Sequence, residues 1–252
     1  MTQQHLTILT GASRGLGLAM ARALLQPGHL LLTIARQPND GLGDHAVHSG
    51  AELTQWALDL ADAVTAADRL QAWLGGLDGG RFATATLINN AATVTEPGPL
   101  EHTSQAELSK ALRVGLEAAL LLSAAFLHAT AAWPAQRKLL NISSGLGRRA
   151  MAGSTAYCAV KAGMDHFSRA LALEQAALPN GARVVSLAPG VIDTEMQQQL
   201  RGADPQRFPE QQRFAQLKAQ GLLDSPEAAA AKVLAFLARE DFGSEPVADV
   251  RG

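Results

Sequence analysis

The sequence predicts a doubly wound α/β fold, in which a seven-stranded parallel sheet carries helices on both faces to give three layers. Three observations carry this expectation. Short, β-branched apolar runs recur along the chain, as strands buried on both faces require. Helical runs separate them, so successive strands are joined by crossovers and lie parallel. A glycine-rich turn, Gly11-Ala12-Ser13-Arg14-Gly15-Leu16-Gly17, stands between the first strand and the first helix.

Composition narrows the function classes. Of 252 residues 47% are apolar, enough for one sizeable core, and no linker, repeat or low-complexity stretch divides residues 1–252, so one domain is expected. A formal net charge of -2 with no basic cluster argues against a nucleic-acid partner. Cys158 is the sole cysteine and the seven histidines lack ligand spacing, so neither a disulfide nor a metal site is expected. The N-terminus has no charged segment ahead of an apolar one. The apolar stretch from Ala118 to Ala132 reads as too short and too interrupted for a bilayer. A cytoplasmic protein with no membrane partner is the expectation.

In chain order, His5 to Thr10 is the first strand, and the turn after it opens an alanine- and leucine-rich helix ending at Gln26. Strand, turn and helix together can present backbone N–H groups and the positive helix end to a phosphate, the glycines allowing positive φ and close approach. The alternative is a tight turn whose small residues serve helix–strand packing. Pro27-Gly28 breaks the helix, and Leu30 to Ala35 is the second strand. Arg36 at its end lies 19 residues after Gly17, where a carboxylate would suit a ribose 2′-hydroxyl and an arginine suits a 2′-phosphate. Arg14 would be the other jaw of that clamp. Residues 37–50 are polar and glycine-rich and read as a loop. Thr54 to Leu58 is the third strand. Asp59, followed by Leu60, either reaches a ligand in the crevice beyond the strand ends or caps the Ala61 to Leu74 helix. Ala85 to Ile88 is the fourth strand and ends in Asn89-Asn90-Ala91-Ala92, whose amides and small side chains also suit a crevice.

Ser104 to Thr130 is a long helical region, apolar on most sides after Ala118 and therefore buried in the core or against another subunit. Lys138 to Ile142 is the fifth strand, followed by Ser143-Ser144 and a loop whose Arg148 and Arg149 either meet an anionic substrate or are solvated. In the next helix Tyr157 and Lys161 stand four residues apart, so one turn brings both to the same face. An ammonium there favours the phenolate of a group that ordinarily ionises near pH ~10, making the phenol a better proton donor. Ser144 lies 13 residues before Tyr157, and the loop between can bring the two hydroxyls together. Arg183 to Ala188 is the sixth strand, and Pro189 to Thr194 turns over the crevice. Residues 195–224 read as a helical excursion, either a substrate lid or a structural helix pair. Ser225-Pro226 opens the last helix, and Pro246 to Val250 is the seventh strand.

In this order and spacing the motifs resemble those of the short-chain dehydrogenase/reductase family over essentially the whole chain. Thr10 to Gly17 is similar to its T-G-x-x-x-G-x-G turn, Asn89 to Ala92 to its N-N-A-G, and Pro189-Gly190 to its P-G turn. Ser144, Tyr157 and Lys161 match its catalytic serine, tyrosine and lysine. The resemblance implies a Rossmann fold and hydride transfer between NADP(H) and a small-molecule carbonyl. Tyr157 would donate the proton, Ser144 would bond the carbonyl oxygen, and Lys161 would lower the phenol pKa and bond the nicotinamide ribose. Gly11, Ser13, Gly15, Leu16 and Gly17 would hold the pyrophosphate, with Arg14 and Arg36 on the 2′-phosphate. Asp59 would meet adenine, Asn89 and Ala91 the adenosine ribose region, and Ile192 and Thr194 the carboxamide end, with Leu60, Asn90, Pro189 and Gly190 also among the cofactor-binding residues. LINNAATVTEPGPLE and AYCAVKAGMDHF look closest to the sepiapterin and benzil reductase branch, which reduces ketones and 1,2-dicarbonyls. A homodimer or homotetramer through the helices beginning near Ala118 and Ser154 is implied as well. The same catalyst would serve an NADP-dependent alcohol dehydrogenase, and a non-catalytic NADP-sensing protein is the alternative of another class. Two positions depart from the family pattern. Ala92 replaces a glycine, and Gly115, in Val114-Gly115-Leu116, stands where an asparagine is usual. In the family the backbone carbonyl of that asparagine helps hold a water that links the lysine to a proton relay.

Overall fold

Residues 4–251 are described by a computed structural model. Its strands are β1 (Gln4–Thr10), β2 (His29–Ala35), β3 (Glu52–Ala57), β4 (Phe82–Asn89), β5 (Gln136–Ile142), β6 (Arg183–Ala188) and β7 (Val247–Asp249). All pair in parallel as one seven-stranded sheet in the order β3-β2-β1-β4-β5-β6-β7. The helices are α1 (Gly15–Leu24), α2 (Asp40–Ser49), α3 (Ala63–Gly75), α4 (Gln105–Leu112), α5 (Ala118–Ala129), α6 (Thr155–Ala176), α7 (Glu195–Gly202), α8 (Gln211–Ala219) and α9 (Pro226–Ala238).

The period of two along each strand sends alternate side chains to opposite faces, and both faces are apolar. Leu6, Ile8, Leu30 and Leu32 join Leu70, Leu122 and Phe126 in the core beneath α3 and α5. Leu9, Leu31, Val185 and Leu187 join Met20, Leu42 and Val233 in the core beneath α1, α2 and α9. The three layers are those of a Rossmann fold. The winding reverses between β1 and β4, and that switch point opens a crevice beyond the carboxyl ends of the strands.

Two expectations are corrected here. Residues 37–50 are not a loop throughout, because α2 occupies Asp40–Ser49. Only Leu42 and Ala46 are buried in it, one turn apart, and Gly41 and Gly43 disguise the pattern; Gly50 ends the helix at φ 71. The apolar segment before Pro134 is neither short nor interrupted: Gln105–Ala129 is continuously helical over 25 residues. Its length and hydropathy would suit a bilayer, but half of its apolar window is buried, with Val114, Ala118, Leu122 and Phe126 packed into the core. Gly115 lies in a π-helical turn, Arg113–Glu117, that joins α4 to α5. A Cβ at Gly115 would stand 2.6 Å from Val160 Cγ1 on α6, so glycine here permits a close helix crossing.

Candidate active site

The glycine turn is built from both sides of the switch point. Gly11 and Gly15 adopt φ of 73 and 55, and a Cβ on Gly17 would collide with the Gly11 carbonyl and the Asn90 amide. Thr10 Oγ1 accepts from the Asn90 and Ala91 backbone N–H groups at 2.9 and 3.0 Å. Asn90 Nδ2 donates back to the Thr10 and Gly11 carbonyls at 3.0 and 3.2 Å. Asn39, which sequence reasoning passed over, donates to the Ser13 carbonyl at 3.2 Å and braces the turn from the α2 side. Its only sequence signal is its place just before α2, in a stretch whose glycines and polar residues suggest a loop.

A cavity of about 1730 Å³ runs from this turn in both directions. Ligand pockets usually span roughly 300–1,000 Å³, so there is room for a dinucleotide and a second molecule. Every expected site residue lines it except Asn89. Asn89 is 3% exposed and turned away: its Nδ2 donates to Asn141 Oδ1 at 2.9 Å and to Ser123 Oγ at 3.2 Å. Even numbers of residues separate side chains on one strand face, so Asn89 and Asn90 necessarily point to opposite sides. Asp59 lines the cavity and accepts from the Ala61 N–H at 3.0 Å; the α3 cap is Asp62, which accepts from Thr65 N–H.

At one end the exposed Arg36 lines the cavity and has no ion pair among the described residues. Arg14 is paired with Glu195 at 2.6 Å, with both side chains more than three-fifths exposed, so the expected arginine clamp is open on that side. An exposed pair of this kind exchanges readily.

At the other end Ser144, Tyr157 and Lys161 converge. Ser144 closes β5 and accepts from the Leu146 N–H at 3.2 Å, which fixes its loop. A hydrogen bond from Ser144 favours the Tyr157 phenolate, yet burial dominates and pushes the phenol up to about 12. Lys161 Nζ donates to the Ile142 carbonyl at 2.6 Å and stands 5.6 Å from the Tyr157 ring centroid. Burial pushes this lysine down to about 8, opposed by the nearby Asp165 charge. Burial of the hydroxyl sets the direction of the phenol here, while the Lys161 ammonium is directed at the Ile142 carbonyl.

Around the Tyr157 end the walls are apolar. Val94, Leu146, Met196 and Leu200 line the cavity and also a recess of about 30 Å³ behind the tyrosine, closed by Pro97 and Met151. The excursion forms the roof. Its two feet are joined by Asp193 N–H to Asp224 O and Asp224 N–H to Val191 O, both 2.9 Å. Phe208 and Phe214 pack with Met151 beneath it, a third apolar cluster apart from the two faces of the sheet. Among the described residues no three His, Cys, Asp or Glu side chains come together as a metal site would need.

A Rossmann sheet with this crevice defines a class, the dinucleotide-dependent oxidoreductases. The chain belongs to the short-chain dehydrogenase/reductase family, whose model, described as short chain dehydrogenase, matches residues 5–205. It is 35% identical to a benzil reductase ((S)-benzoin forming) of Bacillus subtilis, over 92% of this chain and 93% of that protein. It is 33% identical to sepiapterin reductase of Meriones unguiculatus, over 94% and 92%. A solved protein from Beutenbergia cavernae, with NADP bound at low occupancy, superposes with a TM-score of 0.81. That match has 27% identity and covers 99% of this chain and 96% of that one.

Proposed function

We propose that the protein is an NADPH-dependent carbonyl reductase acting on ketones or 1,2-dicarbonyls. The observation that carries this reading is the meeting of Ser144, Tyr157 and Lys161 at one end of a cavity whose middle is the glycine turn and whose far end is Arg36. The turn suits a pyrophosphate, since Gly17 lets the turn fold tightly against Gly11 and Asn90 and α1 presents its positive end there. The guanidinium of Arg36, without an ion pair among the described residues, suits a 2′-phosphate better than a 2′-hydroxyl. The resemblance to benzil and sepiapterin reductases supports the substrate class.

NADPH supplies the hydride. The Tyr157 O–H donates its proton to the carbonyl oxygen as negative charge develops there. Ser144 donates a hydrogen bond to the same oxygen and holds the carbonyl in place. Lys161 keeps a positive charge beneath the phenolate so formed, and Leu146, Met196 and Leu200 keep water away. A proton relay passing Gly115 would have only the backbone carbonyl of this residue to use, since glycine has no side chain.

NADPH oxidation in the presence of a panel of diketones, aryl ketones and pteridine carbonyls tests the reading, with NADH in parallel. Turnover with NADPH on at least one of these is expected. Tyr157→Phe removes nearly all of it, by a factor of at least about 10³, while NADPH still binds. Full turnover in that variant, or equal use of NADH, would overturn the corresponding part of the proposal.

A further inference from the structure

Beneath the Ser144 loop lies a buried carboxylate that neither the proton transfer nor the dinucleotide cradle uses. Asp165 follows Lys161 by one helical turn on α6 and is 1% exposed. Its Oδ1 accepts from Ser143 Oγ at 2.5 Å and from Ser186 Oγ at 2.7 Å, and its Oδ2 accepts from Arg148 Nε at 3.2 Å. Ser143 immediately precedes Ser144, and Ser186 is on β6. Arg148 also donates to the Ala248 carbonyl at 2.8 Å and lies 4.0 Å from Asp249 on β7. One carboxylate thus joins α6 to the ends of β5 and β6, to the Ser144 loop and, through Arg148, to β7. The loop is drawn tightly against this turn of α6: a Cβ on Gly147 would stand 2.8 Å from Asp165 Oδ2 and 2.9 Å from the Lys161 carbonyl.

A buried carboxylate is costly even when paired, and an apolar side chain would hold the same packing with less desolvation. Its placement makes sense through its charge. Tyr157 and Asp165 flank Lys161 on α6. The charged groups tied to Asp165 are Arg148 and, through it, Asp249 with Arg251 at β7, while Lys110 on α4 and Arg149 on the loop line the same cavity as Lys161. Asp165 is the carboxylate among them whose field opposes the desolvation of the lysine.

We propose that Asp165 is a positioning residue for the Tyr157–Lys161 pair: its charge supports the Lys161 ammonium one turn away, and its hydrogen bonds from Ser143 and Arg148 hold the Ser144 loop against α6. The inference rests on the reading of that pair given above, but its test needs no turnover. Tyr157 is the sole tyrosine of the chain, so full-length protein labelled at tyrosine Cζ with an NMR-active carbon isotope gives one labelled ring resonance. Lys161 Nζ lies 5.6 Å from that ring, and its titration, near pH 8 in the wild type, registers in the resonance. Asp165→Asn keeps the shape, removes the charge and moves the inflection about one pH unit lower. Arg148→Gln leaves the Asp165 charge uncompensated and moves it higher. A purely structural role would cost both variants thermal stability without shifting the inflection in opposite directions. An unmoved inflection in a folded Asp165→Asn protein overturns the proposal. If that variant does not fold, Arg148→Gln decides, and absence of an upward shift overturns it. Failure of every carbonyl substrate would sink the reductase reading and leave this titration intact, so the two failures are distinct.

Discussion

At the scale of single residues the chemistry rests on groups held away from their ordinary ionisation. Tyr157 carries its proton up to about 12 instead of 10.0 because burial disfavours the phenolate. Between those two values the folded protein keeps a proton that the unfolded chain has released, so stability falls as pH rises through that window. Because the chain has one tyrosine, the phenolate band in the near ultraviolet is a direct readout. At pH ~11 the native protein is expected to show little of it and the urea-unfolded protein most of it. An equal signal in both states would contradict the burial assigned to this phenol. Gly115 is a second residue whose meaning is steric. Gly115→Asn places a side chain against Val160 and is expected to destabilise the fold by about 1–3 kcal/mol, read as a lowered denaturation midpoint. Adding Val160→Ala recovers part of that loss, and a strictly additive double variant would refute the contact. The pattern V-x-L marked the position in the sequence, but not why the asparagine is missing, because the clash comes from a residue 45 positions away.

At the scale of elements the excursion roofs the cavity beside Tyr157. Asp193 at its foot accepts from Lys218 Nζ and from Arg201 Nη1, the latter at 3.2 Å, and both cations lie on the excursion. These bonds hold the Asp193 carboxyl below the usual carboxylate range, Lys218 contributing most. The group is solvent-facing, so salt screens it. Asp193→Ala is expected to loosen the roof and raise KM for the carbonyl substrate several-fold with kcat changed less than twofold. Raised ionic strength should do the same to the wild type, and an unchanged KM in steady-state assays under both treatments would rule the tether out. The excursion was legible as a polar, proline-interrupted insertion after the sixth strand. Its apolar underside was not, because Phe208, Phe214 and Met151 come from separate segments and meet only when the chain folds back.

At the scale of the whole molecule the long α4–α5 segment has two faces. Val114, Ala118, Leu122 and Phe126 enter the core, while Leu112 and Leu120 remain 44% and 41% exposed; on α6 Leu173 is 76% exposed. Apolar side chains left outside on neighbouring long helices are the material of a subunit contact. A homodimer or homotetramer of the 26.4 kDa chain is therefore expected by light scattering, and Leu120→Glu should shift it towards the monomer. A wild type that scatters as a monomer at all concentrations would dismiss this contact.

By itself the sequence determined what local chemistry determines: the seven strands in order and the helices other than α2, the glycine turn, the P-G turn, and the one-turn spacing of Tyr157 and Lys161. These are written in runs of a few residues, where periodicity, φ freedom and helix pitch act directly. The tertiary structure alone decided which way each polar side chain faces and what surrounds it. It turned Asn89 into the core while Asn90 braced the turn, and it gave Arg14 to Glu195. It also set the phenol and the ammonium by burial, and brought Asp165 under the Ser144 loop. Desolvation and long-range hydrogen bonds depend on groups far apart in the chain, and no spacing rule along one segment encodes them.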